Sequence, residues 1–218
     1  MQKYLQNLTP LKNQGFCNKV YLSRYKNQKF IVKKRLNKKV DTRSEAKAQN
    51  LAYKKKISAK IITFDRQYIV YEYIEGEHKK KLTKKDLNHL LRSLKNLHKI
   101  NLRSKRVNPK ELLPRSEHRV LAKIQNYKED LLTTHNDLNP KNILFCKNGV
   151  KFIDFEYCRK WDIYFDLAAI SVEFDLKKED ENYFLKRYFG KYKADRKKLK
   201  LFKDLYKKSV EHWFKINI

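Results

Sequence analysis

Residues 135–157 constrain the fold of this chain more than any other stretch. HNDLNPKNILF (135–145) and VKFIDFEY (150–157) place two short apolar runs, ILF and VKFI, on either side of Asn148 and Gly149, a dipeptide suited to the positive φ angles of a tight hairpin turn. Polar loops flank this hairpin on both sides. The first carries His135, Asp137 and Asn142, the second Asp154 and Glu156.

The chain before the hairpin alternates strand and helix signals. VYLSRYKNQKFIVKK (20–34) has two β-rich runs around an Asn27/Gln28 break and predicts a hairpin. Thr42 and Glu45 have capping-box spacing ahead of the helix formers AKAQNLAYKKK, and strands return at 61–64 and 68–74, with Gly76 marking the exit. The pattern then turns helical. Leu87, Leu90, Leu91, Leu94 and Leu97 fall on one face behind a Thr83/Asp86 cap, and further helices are expected at 162–174, 179–188 and 197–214, with one β interruption at the hairpin. The expected class is α+β, with a small β-rich lobe (1–75) and a larger, mainly helical lobe (76–218).

Lys and Arg number 53 against 24 Asp and Glu, a net charge of +29. The lysines are spread through every segment alongside abundant Asn, Ile and Tyr, as an A/T-biased codon supply would leave them. Charge alone specifies a field and no groove, so no specific nucleic-acid partner is read. Attraction for nucleotides and phosphates is expected, and peripheral contact with anionic surfaces stays open. Three cysteines without a CxxC pair point to a reducing, cytoplasmic setting. The start MQKYLQNLTPLKN lacks the apolar core of a signal peptide, and no run of about 18 apolar residues predicts a transmembrane segment. The oligomeric state is not legible.

Phosphoryl transfer needs a carboxylate to orient the attacking hydroxyl and oxygen ligands to hold Mg²⁺ against the phosphates. His135-x-Asp137-Leu138-x-x-x-Asn142 keeps the spacing of a kinase catalytic loop, and Asp154 stands at the end of the returning strand, where a metal-binding Asp belongs. Asn136 replaces the Arg of the His-Arg-Asp motif, Glu156 replaces the Gly of Asp-Phe-Gly, and no activation segment follows. The run IDFEYCRKWDIYFDLAAISVEF resembles the choline/ethanolamine kinase group of the aminoglycoside-phosphotransferase-like branch of the protein-kinase-like fold.

That resemblance implies a bilobal protein-kinase-like fold with ATP and Mg²⁺ as cofactors and choline or a similar cationic alcohol as acceptor. Ethanolamine, aminoglycoside, thiamine and sugar acceptors are alternatives within the fold, and a catalytically idle basic binding protein is an alternative outside catalysis. It implies Asp137 as base, Asn142 and Asp154 as metal ligands, and His135 and Asp166 as supports. Lys33, with Lys34 as alternate, matches the lysine that touches the phosphates, and Glu45 its helix partner. Gly15 and Asn18 fall in the phosphate-covering loop, where Gly15 stands alone, and Glu72 to Ile74 in the hinge that meets adenine. A quaternary ammonium is held by aromatic faces and a carboxylate. Glu156, Tyr157, Trp161, Tyr164, Glu173 and Trp213 are the residues offered for that pocket, although aromatics at helical spacing also serve simply as core.

Overall fold

The computed structural model describes residues 1–12, 17–36 and 42–217. After a short strand, β1 (Thr9–Pro10), strands β2 (Asn18–Tyr25) and β3 (Gln28–Arg35) pair antiparallel from Asn18↔Arg35 to Tyr25↔Gln28. Between them Lys26 and Asn27 take φ of 48° and 61°, the left-handed pair that suits a two-residue hairpin. Strands β4 (Ile61–Phe64) and β5 (Tyr68–Glu72) complete an antiparallel sheet in the order β1-β2-β3-β5-β4.

Period-two alternation gives this sheet two faces. Phe30, Val32 and Val70 pack with Tyr4 on one; Lys33, Arg35 and Tyr71 turn to the other, against helix α1 (Thr42–Lys54). The expected Thr42/Glu45 capping box does not form. The Thr42 hydroxyl donates to Arg66 O at 3.2 Å, and the Glu45 carboxylate is drawn off by three donors from the sheet, whose burial and charge outcompete a local amide.

Beyond β5 the chain passes Gly76, where an added Cβ would lie 3.0 Å from Cys146 Sγ and 3.1 Å from Phe145 O. Glu77 then exchanges two backbone hydrogen bonds with Phe145, at 3.0 and 2.9 Å. Helix α2 (Lys84–His98) starts on the expected Thr83/Asp86 capping box, and its five leucines are all buried. Each contributes about 1.5–3 kcal/mol relative to exposure.

The segment 101–130, which carried no clear pattern, holds a short helix, α3 (Arg119–Ile124), whose Val120 and Leu121 are buried. The hairpin at the centre is β7 (Ile143–Cys146) and β8 (Gly149–Phe152). Its turn residues are Lys147 and Asn148, one position earlier than the Asn148-Gly149 dipeptide suggests; Gly149, at φ 128°, opens β8 opposite Cys146. A second pair, β6 (Leu131–Thr134) with β9 (Arg159–Asp162), corrects the expectation of a single β interruption. These four-residue runs, LLTT and RKWD, are too short and too polar to show a strand period.

Helix α4 (Tyr164–Glu173) is buried from Tyr164 to Ser171 and lies in the main core, which is closed by α5 (Lys178–Phe189) and α6 (Arg196–Asn217). No helix among the described residues is long and apolar enough to cross a membrane.

Candidate active site

The loop from β6 to β7 is shaped by one carboxylate. Asp166, in the first turn of α4 and fully buried, accepts the backbone amides of His135 (2.8 Å) and Asn136 (2.9 Å), and it lies 3.1 Å from His98 Nε2. Asn136 can therefore sit at φ 67°, a left-handed conformation that Asn tolerates better than most residues. Its side-chain amide donates to Tyr157 O at 2.9 Å and joins this loop to the one after β8. Burial lowers the His135 pKa and keeps the ring neutral, so its Nε2–H donates to Ile153 O at 3.1 Å. His135 and Asp166 thus occupy the supporting places expected of them. His78 fastens the same loop from the other side, with Nδ1 at 3.1 Å from Pro140 O and 2.9 Å from Ile143 O.

These anchors bring Asp137, Asn142 and Asp154 together. Asn142 Nδ2 donates to Asp137 Oδ2 at 2.6 Å and to its backbone carbonyl at 2.9 Å, and Asn139 Nδ2 donates to Oδ1 at 2.9 Å. Burial, with the nearby Asp154 charge, pushes the Asp137 pKa up to about 7. Asp154 follows β8 at φ 63° and ψ 69°, another left-handed non-glycine position of the strained kind that gathers at functional sites. Its carboxylate is 27% exposed, enough to reach a ligand.

Lys33 meets this group from the sheet. Its Nζ lies 2.6 Å from Asp154 Oδ1, 3.1 Å from Glu45 Oε1 and 3.4 Å from Glu156 Oε2. Burial would lower its pKa, but the three carboxylates outweigh that and hold it above the ordinary lysine range. Lys34 points the other way, its ammonium 5.8 Å from the centre of the Tyr68 ring, so the strand register selects Lys33. Oxygen donors fit a hard divalent cation. Asn142 has its amide nitrogen committed to Asp137 and its carbonyl oxygen left over for a ligand, while Asp154 keeps a second oxygen beside the one facing Lys33.

At the hinge, Glu72 N donates to Lys60 O (3.0 Å) and Tyr73 N to Lys29 O (3.2 Å), whereas Ile74 N has no backbone partner among the described residues. The Glu72 carboxylate accepts from Lys60 N at 3.0 Å and faces away from that task. Gly15 lies outside the described residues. Asn18 is described, and its Nδ2 donates to Glu156 Oε2 at 3.2 Å.

The expected acceptor pocket is redistributed. Glu156 is buried against Lys33, Arg35 and Asn18, so it belongs to the ion cluster under the sheet and not to an aromatic pocket. Trp161 is core: it packs at 4.3 Å from Phe165 and 6.1 Å from Phe202 and is 5% exposed. Tyr164 is core as well, and its ring face already carries an ammonium. Lys198 Nζ lies 4.4 Å from the ring centre, held by Asp162 Oδ2 (2.6 Å), Asp130 Oδ2 (2.8 Å) and Lys128 O (2.7 Å).

Tyr157, Trp213 and Glu173 do remain near Asp137. The Trp213 indole bonds the Tyr157 hydroxyl, and Glu173 Oε1 accepts the Tyr206 hydroxyl at 2.8 Å. Burial raises the pKa of both tyrosines, and both feel the charge of Asp137. Sequence reading missed Tyr206, Arg35, Tyr71, Asn139 and His98. Tyr206 alone had a signal, lying one helical heptad before Trp213.

A two-lobed arrangement with a catalytic hairpin and a lysine facing it across the site defines a phosphotransferase architecture. The chain belongs to the phosphotransferase enzyme family (APH), whose family model matches residues 94–202, half of its length. Among curated relatives, a "Protein LicA homolog" of Mycoplasma capricolum subsp. capricolum is 30% identical over 148 residues, which are 59% of this chain and 60% of that protein. The match therefore spans less than two thirds of the relative. Two solved structures share the protein-kinase-like fold. Choline kinase LicA from Streptococcus pneumoniae superposes with a TM-score of 0.82 at 22% identity, over 95% of this chain and 84% of that one. A choline/ethanolamine kinase family protein from Mesorhizobium loti gives a TM-score of 0.80 at 20% identity, over 98% and 80%.

Proposed function

We propose that this chain transfers a phosphoryl group from Mg²⁺-bound ATP to the hydroxyl of a small cationic alcohol, with choline the first acceptor to test. The observation that carries the reading is the convergence of Asp137, Asn142 and Asp154 on one side of the hairpin with Lys33 opposite them. The similar protein of Streptococcus pneumoniae is a choline kinase, which directs the choice of acceptor.

In this reading Asp137 orients the acceptor hydroxyl and takes its proton, a role suited by a pKa of about 7. Asn142 and Asp154 would hold Mg²⁺, which when bound supplies charge neutralisation at the transferring phosphate. Lys33 binds phosphate oxygens and Glu45 keeps it aimed. Adenine lies against the hinge, where the Ile74 amide is available to it. Tyr157, Trp213 and Glu173 form the cation pocket, two aromatic faces and one carboxylate suiting an ammonium that offers no conventional hydrogen bond. The nucleotide lobe is taken as residues 1–75 and the acceptor lobe as 76–218. Unpaired Cys17, Cys146 and Cys158 support a cytoplasmic setting.

An ADP-release assay on the full chain with Mg²⁺ and a panel of choline, ethanolamine, an aminoglycoside, thiamine and a sugar tests this. Release that depends on choline is the expected result. Release stimulated by another member of the panel reassigns the acceptor. Absence of Mg²⁺-dependent nucleotide binding, with steeply salt-dependent nucleic-acid binding instead, would support an idle basic binding protein.

A further inference from the structure

Glu45, Asp154 and Glu156 present oxygens within 4.8 Å of one another, and Lys33 touches all three. One lysine cannot neutralise three carboxylates. A second cation stands beside it: Arg35 lies two residues along β3 on the same face and is 5% exposed. Its Nη2 pairs with Glu45 Oε2, and its Nη1 lies 3.8 Å from Glu156 Oε2. Asn18, the cross-strand partner of Arg35, donates to that same Glu156 oxygen. The open end of the β2–β3 hairpin is thereby fastened to the turn after Asp154.

We propose that Arg35 is a positioning residue of the phosphate site. By compensating Glu45 and Glu156, it leaves the Lys33 ammonium free to face Asp154 and the nucleotide phosphates. The inference rests on the phosphotransferase reading for the identity of the ligand, but its electrostatic content does not. Without Arg35, Lys33 is drawn toward Glu45 and Glu156 and serves phosphate less well. The same loss leaves three clustered carboxylates with one counter-charge, which attracts a divalent cation even when no nucleotide is present. Nucleotide and bare-metal affinities therefore move in opposite directions. A residue that only holds the fold together would weaken both.

The test uses the full chain carrying Arg35→Met, Arg35→Lys, Glu156→Gln or Arg35→Met with Glu156→Gln. Each is titrated with Mn²⁺ alone, followed by its electron paramagnetic resonance signal, and with a non-hydrolysable ATP analogue plus Mg²⁺. Arg35→Met is expected to bind the analogue roughly 10-fold more weakly and Mn²⁺ alone roughly 10-fold more tightly. Arg35→Lys falls between Arg35→Met and the unaltered chain. In the double variant, removing one carboxylate restores the balance, and both affinities return to within about threefold of Glu156→Gln alone. Weakening of both ligands together, no change in either, or additive effects in the double variant overturns the proposal. Failure of the unaltered chain to bind the analogue would instead sink the phosphotransferase reading, while the Mn²⁺ titrations still decide the role of Arg35. If Arg35→Met does not fold, Arg35→Lys and the double variant carry the test.

Discussion

Lys33 and Asp154 are 121 residues apart in sequence, yet the lysine ammonium lies 2.6 Å from the aspartate Oδ1 and ties the β-rich sheet to the catalytic hairpin. Lys33 is therefore a counter-ion in the free protein and a phosphate ligand in the loaded one. Lys33→Met is expected to lower turnover by about 10²- to 10³-fold, since it removes a preorganised charge aimed at the transferring group. ADP release at saturating acceptor measures this, and a drop of less than about tenfold would remove Lys33 from the mechanism.

Asp137 should impose a pH dependence of a definite sign. Its carboxylate works deprotonated, so kcat/KM, which reports the free enzyme, is expected to rise with pH to a plateau above about 7. Asp137→Asn should flatten that limb and lower turnover by about 10²- to 10⁴-fold. The same group acts on stability in the opposite sense. Its folded pKa lies above the unfolded value of about 3.9, so the stability it contributes is complete below that value and is lost as pH rises through about 7. Asp137→Asn should therefore gain Tm relative to the unaltered protein between pH 5 and pH 8, as followed by thermal unfolding without metal. An equal Tm difference at both pH values would contradict the raised pKa.

Asp166 holds the catalytic loop without touching a reactant. Replacing it with Ala leaves two backbone amides and His98 without their acceptor in a fully buried place. A loss of about 3–5 kcal/mol is expected, read from the urea midpoint. Asp166→Asn, which keeps one acceptor oxygen, should lose less. Equal losses in the two variants would mean that the hydrogen bonds are not what the carboxylate provides.

The Tyr157 and Trp213 pair should affect the acceptor and spare the nucleotide. Trp213→Ala is expected to raise KM for a quaternary ammonium acceptor by about 5- to 30-fold, the worth of one cation–π contact. KM for ATP should stay within about twofold, because Trp213 lies on the far side of Asp137 from Lys33 in this reading. A parallel rise in both KM values would place Trp213 in a general structural role.

Much of this arrangement was legible in the sequence because it is encoded by local spacing. The five leucines of α2 repeat at helical intervals, and the Lys26-Asn27 hairpin sits between two β-rich runs. Asp137 and Asn142 share one short loop, and Asp154 follows one strand later. What was not legible depends on which distant group satisfies a charge. Glu156 looks free beside Tyr157 in the sequence, but Arg35 and Asn18, more than a hundred residues earlier, claim it. Tyr164 looks like a cage residue, but Lys198 fills its face, and one buried lysine among so many exposed ones has no local signature. The β6–β9 pair escaped because its strands are four residues long and find each other across the intervening hairpin.

Gly76 has a consequence for motion. With Glu77 stitched to Phe145 and no room for a side chain at residue 76, the connection between the lobes is clamped to the hairpin it leads into. Bending must then occur upstream, over Tyr73 to Glu75, beside the amide we assign to adenine. Nucleotide arrival and lobe closure would be one mechanical event, with the ligand seated on the pivot itself.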